Sequence, residues 1–440
     1  MMDFAFRIMD SLLACLTINL SWDLVMDVYW FLFFIEFPRY YALDIVAAIR
    51  YGLTWRRRQK KQAVARRMLF IEQPLVTVLA PGKNEGANIY KLVESLREQT
   101  YRNFEIIIID DGSDDATPQI CADLKRAGYI DMFFRMHDRC GKAAAANYGV
   151  RHASGKYLVH LDADSSLDRD AIEKILLPFY YDRNIKGVGG CIKVRNDRES
   201  LCTAMQTQEY LRTIQVGRMV TDMLGIYHII SGAFGAFELD AIRQVGCWDI
   251  GPGLDGDITQ KLRKAGYKVK FVPDAICMTN VPSKWHALFR QRKRWSKSLI
   301  RFRVRKHRDI LWAGRNFSFS NMFSNLECIL FDFVLNCVWV FYIIGLLVGN
   351  VDRLLEIVVM GWLIRFTFSL STFIVNQCVS ERSREERYLL AYLPLHTFYM
   401  GYFLRIARLC GHMEELFFFS SYKDSWNPRK VSLVAQEEGL

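Results

Sequence analysis

Eleven cysteines occur in the 440 residues, yet none forms a Cys-x-x-Cys pair and no Cys/His cluster has zinc spacing. That excludes the common structural zinc sites. The thiols read as reduced, mostly buried and facing a cytosol. Internal repeats and low-complexity tracts are also lacking, which argues against a solenoid or a linker-rich chain. The apolar N-terminus carries Arg7 and Asp10 and lacks a small-residue cleavage site, so it does not read as a cleavable signal peptide. Charge is not scarce. Charged residues make up 24%, too many for a chain embedded throughout in lipid, and 51% hydrophobic residues exclude a disordered one. The mean hydropathy of +0.04 averages two unlike populations. Lys and Arg exceed Asp and Glu by 58 − 47 = 11. That balance suits nucleic acid, anionic lipid, a phosphate-bearing substrate, or simply a solvated basic surface.

Hydrophobicity lies at the two ends. Residues 4–20 form a weak apolar stretch. Residues 26–49 form a stronger one, long enough to span a bilayer but interrupted by Asp27, Glu36, Arg39 and Asp44 and kinked by Pro38. A buried soluble helix is the competing reading. WRRRQKKQAVARR follows directly, and its seven cations place the next region in the cytoplasm by the positive-inside rule. Nothing nearby resembles a base-reading element, so nucleic acid is not the expected partner. Over 74–282, short apolar runs alternate with helical patterns near 86–99, 116–127 and 142–153. This is an α/β nucleotide-binding layout with acidic clusters at strand ends. Residues 283–311 read as an amphipathic helix lying in the membrane interface, with Trp295 on the apolar side beside Leu288 and Leu299. Two spans follow near 328–348 and 354–376. The charged loop SERSREER precedes a third apolar segment near 388–404, then an amphipathic stretch and a polar tail.

Each chemical motif has a bland reading beside the sharp one. APGKNEG places Glu85 at a strand-to-helix turn, and IIIIDDGSDDAT places Asp110 and Asp111 at a strand end. Acids there can accept hydrogen bonds from a uracil or ribose, or can merely cap helices. Lys142 opens an Ala-rich helix after Gly141, where a cation suits a diphosphate or is a solvated surface lysine. LVHLDADSSLD ends a strand in Asp162 and Asp164, two hard-oxygen donors for Mg²⁺ or Mn²⁺, or solvated loop acids. GPGLDGDITQKL carries Asp255 and Asp257, either of which can take a proton from a sugar hydroxyl or cap the helix. QRKRW brings Gln291, Arg294 and Trp295, a sugar platform with donors, or a lipid anchor.

In this order the motifs resemble the membrane-embedded, processive family 2 glycosyltransferases, among them hyaluronan, chitin-oligosaccharide, cellulose and poly-N-acetylglucosamine synthases. The resemblance is strong over about 74–311 and general in the flanking helices. It implies a GT-A-like α/β domain inserted between N-terminal and C-terminal transmembrane helices. It further implies that Asp111 binds uridine, Lys142 the diphosphate, and Asp162 and Asp164 the metal. Asp255 would be the base, and Gln291, Arg294 and Trp295 would meet donor diphosphate and acceptor. Where the family writes Glu before the base, this chain has Leu254, so Asp257 stays beside Asp255 as a candidate. The segment ISGAFGAFELDAIRQVG is most similar to the poly-N-acetylglucosamine branch. Trp426 and Arg429 in the tail are loosely similar to a cytosolic gating segment.

The expected layout is a membrane helix or helices over 1–50, a basic linker over 51–73 and the catalytic domain over 74–282. The QRKRW helix occupies 283–311, membrane and interfacial helices 312–420, and the tail 421–440, with no room for an appended cyclic-dinucleotide domain. The implied activity is processive, inverting transfer from a UDP-sugar to a growing glycan exported through the membrane helices. The implied setting is a bacterial inner membrane with the catalytic domain in the cytoplasm, alone, as a homo-oligomer or with a small membrane partner. A non-processive transferase on a lipid acceptor and a non-catalytic scaffold are the alternatives. Three C-terminal crossings would leave the tail outside, in conflict with a cytosolic gate.

Overall fold

The computed structural model describes residues 28–249, 253–314, 317–349 and 354–423. The apolar stretch 4–20 and the gating candidates Trp426 and Arg429 lie outside the described residues.

Among the described residues, eight strands make one sheet. Strands β1 (Val76–Gly82), β2 (Phe104–Asp110), β3 (Met132–Arg135) and β4 (Tyr157–Leu161) run parallel in the order β3-β2-β1-β4. Their near-continuous apolar runs, such as Ile106–Ile109, fit a sheet covered on both faces. The helices Gly86–Arg97, Thr117–Arg126 and Lys142–His152 connect them in turn. One apolar cluster lies on each face, one around Leu92, Ile108 and Val159, the other around Leu79, Ile107 and Leu158. Beyond β4 the sheet turns mixed. Strand β7 (Phe234–Glu238) is antiparallel to both β4 and β6 (Ile185–Val194). Strand β8 (Lys268–Thr279) runs parallel to β6, and the short β5 (Ser166–Leu167) closes the edge. Strands β1, β2 and β4 end at Gly82, Asp110 and Leu161, so the acidic motifs gather along one rim of the sheet.

Among the described residues, two helices are long and apolar enough to cross a membrane, Phe319–Gly349 and Leu354–Val379. The N-terminal helix from residue 28 is not one of them. Two of its charges pair with neighbouring helices, Glu36 with Arg405 and Arg39 with Glu327. The helix widens into π-turns over Leu32–Glu36 and Pro38–Ala42, which accommodate the proline.

The segment near 388–404 is not among those two helices. Tyr388 bonds Asp197 of the α/β domain, and Tyr399 bonds Glu209. Farther on, Glu414 pairs with Lys293 and Lys297, and Glu415 with Arg305. Ser320 and Asn321 meet Arg263, and Ser380 meets Lys193.

The helix expected over 283–311 runs as Trp285–Ser298, then π-wound over Leu299–Lys306, then a single turn Arg308–Leu311. It packs between the α/β domain and the helix Leu404–Phe418, with Leu288 fully buried against Tyr399 and Leu404.

Candidate active site

Asp162 follows β4, and the Lys142 ammonium, from the first turn of the helix after β3, pairs with its carboxylate. Burial works against both charges. The pairing outweighs it, holding the Asp162 carboxyl below the usual range and the Lys142 ammonium above its own. Asp164, one pleat on, has the opposite fate. Burial raises its carboxyl, and the like charges of Asp162 and Glu85 push the same way, up to about 7. Glu85, at the turn after β1, accepts from Asn88 Nδ2 at 2.8 Å and is itself raised by burial. The Asp164 turn is braced by Arg195, whose Nη2 donates to Asp164 O at 3.2 Å, Ser166 Oγ at 2.8 Å and Met278 O at 2.9 Å.

Asp255 arrives from the helix Leu254–Lys264, which starts after Gly253 at φ +94°. Burial raises its carboxyl, while Lys142 and the Gly232 N–H oppose the shift. Gly232 is the pivot of this corner. Its carbonyl accepts from His160 Nδ1 at 2.8 Å. A Cβ at Gly232 would sit 2.5 Å from Asp255 Oδ1 and 3.2 Å from Lys142 Nζ. The His160 ring is kept neutral, its pKa driven down to about 4 by burial and then by Lys142. Arg294, on the QRKRW helix, lies within electrostatic reach of Asp162. Thus Lys142, Asp162, Asp164, Asp255 and Arg294 converge at the rim of the sheet.

Residues 77–245 match the sequence model described as glycosyl transferase family 2. They form a family 2 glycosyl transferase domain. The chain is 32% identical over 278 residues to a poly-beta-1,6-N-acetyl-D-glucosamine synthase of Staphylococcus aureus, a match spanning 62% of this chain and 64% of that protein. A Staphylococcus epidermidis protein of the same name is 30% identical over 262 residues, 59% of this chain and 63% of its own length. The chain thus spans less than two thirds of these relatives. Among solved structures, a mannosyltransferase of Pyrobaculum calidifontis, solved with GDP-mannose and Mn²⁺, is similar in fold. Its TM-score is 0.51 at 18% identity, covering 85% of this chain and 99% of that one. The fold is of the GT-A-like α/β kind.

The family 2 domain does not use all its motif acids alike. Asp110 is fully buried and accepts from the Ser113 backbone N–H at 3.0 Å, with Arg135 beside it. Asp111 is also buried. Its oxygens accept from the backbone N–H of Cys140 at 2.7 Å and of Gly141 at 3.0 Å. It clamps the loop that presents Lys142, a geometry that motif spacing does not reveal. Asp257 turns away from Asp255, to Lys306 at 2.6 Å and His307 Nε2 at 2.7 Å. Leu254, where the family writes Glu, packs on the apolar cluster behind the sheet.

Gln291 accepts from Arg292 Nη1 at 2.5 Å, and Trp295 is 43% exposed. The helical period places Trp295 with Leu288, but the elements that cover Leu288 do not cover Trp295. Sequence reasoning also missed Gly232, His160, Arg195 and Arg292. Gly232 lies in the quoted SGAFG segment and Arg292 inside QRKRW, so a signal existed for those two. His160 likewise lies inside the quoted LVHLDADSSLD segment, whereas Arg195 carries no local signature.

The donor set fits a hard divalent cation. Asp162 and Asp164 are oxygen donors one pleat apart, Glu85 stands near them, and the mutual repulsion that raises Asp164 is the kind a cation relieves.

Proposed function

We propose that the chain is a processive, inverting hexosyltransferase that extends a polysaccharide from a UDP-sugar donor and exports it through its membrane helices. The observation that carries this reading is the convergence of Lys142, Asp162 and Asp255 around Gly232, with Arg294 of the QRKRW helix facing the same point. The named relatives point to an N-acetylglucosamine polymer.

Asp162 and Asp164 would hold Mg²⁺ or Mn²⁺, which when bound neutralises charge on a departing diphosphate. Lys142 donates to the diphosphate oxygens and, being tied to Asp162, keeps them oriented. Asp255 accepts the proton of the acceptor hydroxyl, whose oxygen bonds to the anomeric carbon as the bond to the diphosphate breaks. Burial keeps this carboxylate basic, which suits the task. Gln291, Arg294 and Trp295 form the acceptor side, Trp295 offering an exposed aromatic face to a sugar ring. Asp257 is reassigned from candidate base to support of the helix that carries Asp255.

The membrane domain would combine the two apolar helices, the N-terminal helix and the interfacial segments, with the catalytic domain in the cytoplasm of a bacterial inner membrane. The test is synthesis by the purified full chain in lipid, offered several UDP-sugars with Mg²⁺ or Mn²⁺. Polymer should form and be identified by mass and by linkage-specific glycosidases. Single-sugar addition to a lipid would refute processivity, and absence of UDP release would refute the enzyme.

A further inference from the structure

Arg292 is the inward-facing residue of QRKRW, only 3% exposed, and the acceptor-side reading leaves it without a role. Its Nε donates to Glu209 Oε1 at 3.1 Å and its Nη2 to Glu209 Oε2 at 2.9 Å. Glu209 is buried on the helix Leu201–Tyr210 of the catalytic domain. The same carboxylate accepts from the hydroxyl of Tyr399, also buried, which belongs to the helical segment after the second candidate span. One carboxylate therefore joins three elements: the catalytic domain, the QRKRW helix and the C-terminal membrane-side helices. What it fixes is specific. The Arg292 guanidinium lies under the Trp295 ring, 4.3 Å from its centroid, and its Nη1 donates to Gln291 Oε1. Two of the three acceptor-side residues thus rest on one buried cation. A guanidinium with its charge matched by Glu209 and its plane set by two parallel hydrogen bonds is a rigid floor for an aromatic ring.

We propose that Glu209, Arg292 and Tyr399 form a positioning unit that sets Trp295 and Gln291 for the glycan, so that docking of the C-terminal helices governs retention of the chain. The inference rests on the proposed acceptor role of the QRKRW helix. None of the three touches substrate; they act through Trp295 and Gln291.

Tyr399→Phe is the decisive variant, because it removes one hydroxyl and keeps the ring that stacks on Phe403. Glu209→Gln is the stronger but riskier one, since it leaves a buried cation unmatched. Both are made in the full chain in lipid, alone and in a Trp295→Leu background. Product length, the acceptor KM with soluble oligosaccharide, and UDP release are measured. The expected result is shorter product and an acceptor KM raised on the order of fivefold in Tyr399→Phe, the equivalent of one hydrogen bond, with UDP release per enzyme retained. In the Trp295→Leu background the same change should raise the acceptor KM by clearly less, only the part carried through Gln291. Wild-type length and KM in Tyr399→Phe would overturn the proposal, as would an effect of equal size with and without Trp295. Should the unmutated enzyme add only one sugar, the processive reading fails, while the acceptor KM and its dependence on Trp295 still decide the positioning role.

Discussion

Gly232 is the narrowest point of the site, and its lack of a side chain is a requirement. A Cβ there would press on both the Asp255 carboxylate and the Lys142 ammonium. Gly232→Ala should therefore cut turnover at least about tenfold while leaving thermal unfolding nearly unchanged, since the clash falls on site groups; parallel kinetics and melting curves check this. Asp255 and Asp257 should separate by type of damage. On the proposed mechanism Asp255→Asn removes the proton acceptor and should lower turnover by about 10²–10⁴-fold with UDP-sugar binding intact. Because burial raises its carboxyl, the turnover of the unmutated enzyme should fall as pH drops through a value above the ordinary carboxylate range. Asp257→Asn should instead lower stability by about 1–3 kcal/mol. Burial opposes the Asp257 charge, but His307 and Lys306 hold its carboxyl below the usual range. That stabilisation is present above about pH 4, the unfolded value, and is lost as pH falls through the lower folded one. The stability gap between wild type and Asp257→Asn should accordingly close in acid. Asp164→Asn should abolish transfer at any Mg²⁺ or Mn²⁺ concentration yet leave the fold intact, because a neutral amide does not hold the cation. Normal turnover in that variant would remove the metal assignment.

At the scale of elements, the helix Trp285–Ser298 shows what periodicity reaches and where it stops. Its amphipathic pattern is plain in the sequence, and Leu288 is indeed buried. The pattern does not say what covers each turn. Tyr399, Leu404, Cys202 and Met205 come from distant parts of the chain and cover Leu288 but not Trp295. The strand runs and the acidic turns of the domain were legible because parallel strands buried on two faces write themselves as short continuous apolar segments. The inward faces of polar residues were not, since Arg292 and Arg294 look alike in QRKRW while one is buried on Glu209 and the other lies within electrostatic reach of Asp162. Trp295 carries the prediction at this scale. A lipid anchor tolerates Leu; a platform for a sugar ring does not. Trp295→Leu should keep membrane insertion and UDP binding but lose polymer, and Trp295→Phe should keep part of it. Full-length polymer from the Leu variant would make Trp295 an anchor.

For the whole molecule, hydropathy alone counts three apolar segments after residue 328, and an odd number leaves the tail on the wrong side for a cytosolic gate. Polar contacts that no hydropathy window contains tie the last two of these segments to the α/β domain. The loop after Val379 is riveted to the catalytic domain: Lys193 Nζ donates to Ser380 Oγ and Glu386 Oε1, each at 2.6 Å, and Arg382 pairs with Asp168 at 2.6 Å. Lys193 and Glu386 are 6% and 9% exposed, so the pair is closed to water. Lys193 also precedes by two residues the Arg195 that braces the Asp164 turn. The loop after the second apolar helix and the Asp164 turn are thus held by neighbouring residues of one strand end, Lys193 and Arg195. Lys193→Met should release the loop, because removing one partner leaves the other charge buried, at a cost of about 3–5 kcal/mol. The measurement is tryptic cleavage of the full chain in lipid at Arg382, Arg384 and Arg387, where cutting should quicken in the variant well before the catalytic domain melts. Replacing both partners, Lys193→Met with Glu386→Leu, should restore resistance in part, since no charge is then stranded. Equal cleavage in wild type and Lys193→Met would mean that the loop is held by other contacts, and that the membrane helices and the sugar-transfer site are not coupled through it.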